Sequence, residues 1–126
     1  MGEEVRSNLK YTDTHEWLEV MGDIAKVGIT DHAQSELTDI VFVEFPEVGK
    51  EIKKGEELCV VESVKSVSEI YSPVSGKIAK VNHKLEETPE TINESPYDEG
   101  WLVEIEVLDE SEIKSLLDAD SYKKLI

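Results

Sequence analysis

Apolar and polar positions along this chain alternate mostly with a period of two, in short runs broken by turn residues. That is the pattern of half-buried strands rather than of helices. HEWLEV (15–20) reads as a strand, Met21-Gly22-Asp23 as a turn, and IAKVGI (24–29) as the hairpin partner. Thr30-Asp31 carries a helix-start signal, and DHAQSEL (31–37) allows two turns of helix at most. DIVFVEF (39–45) is strongly β-forming and closes at Pro46 and Gly49. After a turn at Lys53-Lys54-Gly55, ELCVVESV (57–64) predicts a strand, and SVSEIYS (66–72) predicts its return, which stops at Pro73. A turn at Ser75-Gly76 precedes KIAKVNH (77–83), residues 84–100 read as loop, and WLVEIEV (101–107) alternates as a final strand.

Only the C-terminal stretch, about 109–126, predicts helix. In LDESEIKSLL, Asp109 is placed to cap and Glu112 to complete a capping box, with Ile113, Leu116 and Leu117 as the apolar stripe. DADSYKKLI predicts a second short helix with its lysines near the C-terminal end. Many short strands with frequent turns predict a mainly β fold, a flattened barrel or sandwich with short C-terminal helices. Residues 1–9 read as a flexible tail, and 10–126 as a single domain of carrier type whose hairpin tip spans 62–68.

Charge narrows the function. The 126 residues carry 29 acidic and 13 basic side chains, a formal net charge of −16. Nucleic acid and anionic membrane surfaces are therefore excluded as partners, since both would be repelled at long range. Cys59, the single cysteine, rules out an internal disulfide and reads as a buried thiol. The sequence as given has no signal-peptide, transit-peptide or membrane-spanning pattern. A cytoplasmic location is expected, or the mitochondrial matrix if a presequence has been removed.

Catalytic motifs are scarce. His15-Glu16 begins a zincin-like pattern, but Glu19 stands where the second histidine belongs. His32 and His83 complete no metal spacing, so no metal site is expected. The remaining candidate is Lys65. If 57–64 and 66–72 pair antiparallel, Val64 and Lys65 fall at the centre of the turn, flanked by Ser63 and Ser66. The amine then stands on a projecting tip, either as a modification target or as an ordinary exposed turn lysine.

The wording of the sequence shifts that balance toward modification. YTDTHEW (11–17), VGITDHAQSEL (27–37), DIVFVEFPEVG (39–49), ESVKSVSEIYSPVSG (62–76), INESPYDEGWL (92–102) and SLLDADSY (115–122) stand in one order and register. Together they resemble the H proteins of the glycine cleavage system over roughly residues 10–125. Biotin carriers usually present Met-Lys-Met at the tip, and the lipoyl domains of 2-oxoacid dehydrogenases Asp-Lys-Ala; this chain has Val-Lys-Ser.

The resemblance implies a non-catalytic carrier with lipoic acid bound covalently to Lys65. It further implies recognition of Glu62, Ser63, Val64 and Ser66 by a lipoate ligase or lipoyl transferase. Its other implied partners are the glycine-decarboxylating P-protein, the aminomethyl-transferring T-protein and dihydrolipoyl dehydrogenase, the L-protein, among which an aminomethyl group is shuttled. A monomer is expected. Glu16 and Glu69 match acidic positions of a cleft that shelters the loaded arm, where a carboxylate would pair with the cationic amine. Trp17, Tyr71 and Trp101 match aromatic positions read as core.

There are two departures. Thr38 replaces the family's usual Gly, which would strain the backbone if that position needs positive φ. Thr91 replaces a usual apolar residue. Two other readings stay open: an H-like protein that stores or relays lipoate, and an acidic binding module in which Lys65 is never modified.

Overall fold

The computed structural model describes residues 3–126. Strands β1 (Lys10–Tyr11), β2 (Glu16–Met21), β3 (Ile24–Ile29), β9 (Val103–Val107), β8 (Gly76–Val81) and β5 (Glu51–Ile52) form one sheet in that spatial order. Strands β4 (Ile40–Glu44), β6 (Glu57–Ser63) and β7 (Val67–Tyr71) form the other, with β6 in the middle. Every pairing is antiparallel. The result is a sandwich of two open sheets; the barrel option is not realised.

Period-two alternation builds the core. Leu18, Val27, Ile29, Ile78 and Ile105 from the larger sheet meet Val43, Val61 and Ile70 from the smaller one in a single buried cluster. The segment Glu16–Leu18 is buried on both faces, so alternation fails there. Leu18 joins the inter-sheet core, while Trp17 joins Leu9, Tyr11, Tyr97 and Tyr122 in a second cluster. Gly28 sits opposite Trp17, and a Cβ there would come within 2.7 Å of the indole. Only glycine lets the ring lie flat across β3 at this point. The aromatic positions divide: Trp17 is fully buried, whereas Tyr71 and Trp101 are only half-buried and Trp101 lies under the Lys26 amine.

At the N-terminus, Leu9 is buried, and the Arg6 guanidinium spans both carboxylate oxygens of Asp98 at 2.8 Å. Helix α1 (Asp31–Leu37) begins at Thr30, whose hydroxyl accepts the Ala33 N–H. The 84–100 stretch, read as loop, contains two single turns, α2 (Lys84–Glu87) and α3 (Thr91–Glu94). Thr91 is buried there, and its hydroxyl is used against Thr88.

The capping box is corrected. Asp109 accepts from Ser111, but Glu112 reaches away to the Ser75 N–H and hydroxyl, at 2.7 and 2.9 Å. With that carboxylate recruited by the β7–β8 connection, α4 (Ser111–Lys114) is one turn long. The last helix, α5 (Ala119–Leu125), is capped by Asp118 and carries Lys123 and Lys124 in its final turn, as its sequence predicts.

Thr38 ends α1 at φ 64° and ψ −151°, a region open essentially to glycine alone. The strain foreseen for this substitution is present. Thr38→Gly relieves roughly 1–3 kcal/mol of backbone strain and loses about 0.4–1 kcal/mol through a freer unfolded chain. A net gain of about 1 kcal/mol is expected, read as a higher urea midpoint with an unchanged slope.

Candidate functional site

The hairpin between β6 and β7 closes on Ser63, the last residue of β6 and almost fully buried. Its N–H donates to the Ser66 carbonyl at 2.8 Å. Its hydroxyl accepts the N–H groups of Lys65 and Ser66 at 3.1 and 3.0 Å and faces the Ser66 carbonyl at 3.2 Å. One side chain thus gathers the polar groups of a two-residue turn, a local Ser motif that replaces ladder pairing. Val64 and Lys65 are the central pair. The Val64 N–H is tied to the Asp39 carbonyl at 3.0 Å, which anchors the turn to the approach to β4. Lys65 is exposed, and its amine donates to the Glu36 carbonyl at 3.2 Å. That carbonyl belongs to the last turn of α1, where unpaired oxygens favour a cation. The contact is long-range, and nothing in the alternation pattern could announce it.

The sequence-selected residues separate into groups. Ser63 is the structural clasp, Val64, Lys65 and Ser66 form the tip, and Glu62 points outward from β6 opposite Val67. The two acids lie further down β7. A groove of about 280 Å³ runs between α1 and β7, bounded by Glu36, Leu37, Ile29 and Glu69, with Thr14 and His15 at its wall. Because Glu36 holds the Lys65 amine, the groove opens beside the tip. Glu69 borders it directly. Glu16 instead lines a second concavity, of about 460 Å³, together with Tyr71 and Leu116; Thr14 borders both.

Glu16 is 1% exposed. Its Oε1 accepts the hydroxyls of Thr12 and Thr14, each at 2.5 Å, and its Oε2 accepts the Tyr71 N–H at 3.3 Å. Burial pushes its carboxyl above the ordinary carboxylate range, with the hydroxyl donors opposing the shift. The Tyr71 hydroxyl in turn donates to Glu69 at 3.2 Å. Both acids are therefore held by one residue, Tyr71, through its backbone and its side chain.

Two histidines form a wall that the sequence did not reveal. His15 takes φ 73° and stacks obliquely on His32, ring centres 4.6 Å apart. Its Nδ1 meets the Tyr122 hydroxyl at 2.8 Å, which meets Thr30 at 2.7 Å. Burial, and then the neighbouring His32, hold the His15 imidazole below its usual range. His15 was visible in the sequence only as half of a failed metal motif. Its partner comes from α1, brought over when Thr30 N–H pairs with the His15 carbonyl.

The site offers a rigidly presented amine, a groove beside it and carboxylates along that groove, which suits a covalently tethered arm. Comparisons with known proteins show the family. The family model described as Glycine cleavage H-protein matches residues 9–126. A glycine cleavage system H protein of Endomicrobium trichonymphae is 58% identical over 122 residues, 97% of this chain and 98% of that one. One from Staphylococcus haemolyticus is 54% identical over 97% of each. The crystal structure of a glycine cleavage system H protein from Mycobacterium marinum superposes with a TM-score of 0.88 at 37% identity, covering 95% of this chain and 97% of that one. The chain belongs to the glycine cleavage H-protein family, the non-catalytic lipoyl carriers of the glycine cleavage system.

Proposed function

We propose that Lys65 is the residue this carrier uses to bind lipoate, through an amide to its Nζ. The observation that carries the reading is the placement of that amine: exposed, on a turn clasped by Ser63, at the mouth of a groove. The donor chemistry fits, since a primary amine is what a lipoyl carboxyl acylates. Once attached, the lipoyl group supplies the sulfur chemistry that takes up and releases the one-carbon cargo of glycine breakdown. The amide nitrogen keeps one hydrogen for the Glu36 carbonyl and loses its charge, so the formal net charge moves from −16 to −17 (−16 minus 1).

The chain's own groups do the rest. Glu62, Ser63, Val64 and Ser66 are the tip residues that a lipoate ligase or lipoyl transferase recognises. Glu69, at the groove, pairs with a cationic cargo amine, and Glu16 adds a buried acceptor behind Thr14 that orders this wall. Ile29 and Leu37 exclude water from the groove and so slow loss of the cargo. The enzymes served are the decarboxylating P-protein, the T-protein and the dihydrolipoyl dehydrogenase. No helix of the described residues is long and apolar enough to cross a membrane. We place the carrier in the bacterial cytoplasm as a monomer, consistent with the bacterial relatives and the high negative charge.

Intact mass and peptide mapping after incubation with lipoate, ATP and a lipoate ligase should show one lipoyl increment, confined to Lys65. Lys65→Arg should abolish it while changing stability by no more than about 0.5 kcal/mol. A second modified lysine, or an unmodified Lys65 in folded protein, would refute the assignment.

Ser63→Ala removes the clasp. It should cost about 1 kcal/mol in chemical denaturation. It should also slow lipoylation, because the amine is then presented in many geometries.

Glu16 gives a pH test. Its folded carboxyl binds its proton more tightly than the unfolded one, so its share of stability is full below the ordinary carboxylate range. That share is lost as pH rises through the raised folded value. Glu16→Gln turns an NH₂ toward either the Tyr71 N–H or the threonine hydroxyls and should be less stable than wild type. The gap between the two proteins, measured by denaturation across pH, should be widest in acid and narrow upward.

A further inference from the structure

The three-stranded sheet turns its outer face to solvent, and that face is partly apolar. The register sets Phe42, Glu62 and Val67 side by side in the row nearest the tip, and Glu44, Val60 and Glu69 in the row behind. Phe42 is 56% exposed, Val67 65% and Val64 68%, with Val41 at 48% beside them. The bond from Val64 N–H to the Asp39 carbonyl holds the β4 side of this group against the tip. Isolated apolar side chains on a surface are ordinary, but a cluster framing one functional side chain marks an interaction site.

The segments that carry the cluster are acidic apart from Lys65 itself. Residues 39–44 and 57–71 contain Asp39, Glu44, Glu57, Glu62 and Glu69, and Lys65 as the single cation. Acylation removes that cation. A second copy of this chain is a poor occupant, because a symmetric pairing would set carboxylates against carboxylates between two chains of charge −16. By charge and hydropathy, the surface that would complement it is an apolar depression ringed by arginine and lysine. Val64 adjoins Lys65 in the chain and Val67 follows two residues on, so a protein that works on the Lys65 amine meets this cluster at the tip.

We propose that Val41, Phe42, Val64 and Val67 form an apolar foot on which the lipoate-attaching enzyme docks, steered by the acids of the same face. The inference rests on Lys65 being the loading site, and it adds a recognition surface on β4 and β7 that is distant in sequence from the tip motif. The apolar residues hold the complex together, and the acids speed encounter and weaken with salt.

The test uses the full unmodified chain with a lipoate ligase, lipoate and ATP, following initial rate against carrier concentration. Phe42→Ser combined with Val67→Ser should raise KM about tenfold or more while leaving kcat within about twofold, as expected for loss of a central apolar anchor. Phe42→Leu should recover most of the loss, which separates docking from damage to the sheet; thermal melts check the fold of each variant. Val20→Ser with Met21→Ser, an exposed apolar pair on the other sheet, should change nothing. Glu44→Gln with Glu62→Gln should flatten the rise of KM with salt.

An unchanged KM in the folded serine pair overturns the proposal, as does a fall in kcat alone. So does concentration-dependent self-association, seen in sedimentation, that the serine pair abolishes while KM stays the same. Failure of the wild-type chain to be lipoylated at all would instead overturn the assignment of Lys65, which keeps the two failures distinct.

Discussion

One buried carboxylate holds the working edge of this sandwich together. Glu16 belongs to β2 of the larger sheet, yet one of its oxygens takes the N–H of Tyr71 at the end of β7, the free edge of the smaller sheet. The other oxygen takes two threonine hydroxyls from the turn that leads into β2. An edge strand left unpaired offers its N–H groups to any passing chain. Here part of that edge is satisfied by a side chain instead of another strand, so the sheets approach without closing. The gap that remains along β7 is the groove and the larger concavity beside it.

This arrangement explains why the amine stands where it does. A carrier needs a fixed attachment point and a mobile arm, and under the proposed assignment the hairpin divides those tasks between backbone and side chain. Ser63 immobilises the turn, while the lysine side chain beyond it is exposed and makes a single hydrogen bond to a helix carbonyl. That bond is weak in water, so it orients the amine without retaining it. Rigidity therefore ends at the Lys65 backbone, where the proposed assignment has the reach of the arm begin.

The electrostatic background serves the same end. Most of the 29 acidic residues are solvated, and ion pairs such as Lys84–Glu99 are exposed and contribute little to stability. Their collective effect is a field that concentrates basic partner faces near the surface. Glu16 is the exception, a carboxyl withdrawn from water and held by three donors. Its cost is tolerated because losing it would orphan the Tyr71 N–H at the seam between the sheets.

The strands were legible because alternation with period two is a local property, fixed by the side on which each Cβ emerges. The lysine tip was legible for the same reason: turn residues between two β runs place Val64 and Lys65 at the centre whatever the rest of the chain does. Thr38 could be flagged as strained from its replacement of a glycine. Other features came only with the tertiary structure. Glu112 looked like half of a capping box, but its competing partner, Ser75, is 37 residues away. Tyr71 and Trp101 looked like core, yet each is only half-buried: Tyr71 ends the edge strand β7 beside an opening, and Trp101 precedes β9 beneath the Lys26 amine. The His15–His32 wall and the Glu36 carbonyl under the Lys65 amine each join segments that share no sequence pattern. The sequence by itself determined the strands, the turn and the residue at its tip, since these depend on neighbours along the chain. Only the folded structure decided where the groove lies and what lines it, because those depend on which edges the two sheets leave unpaired.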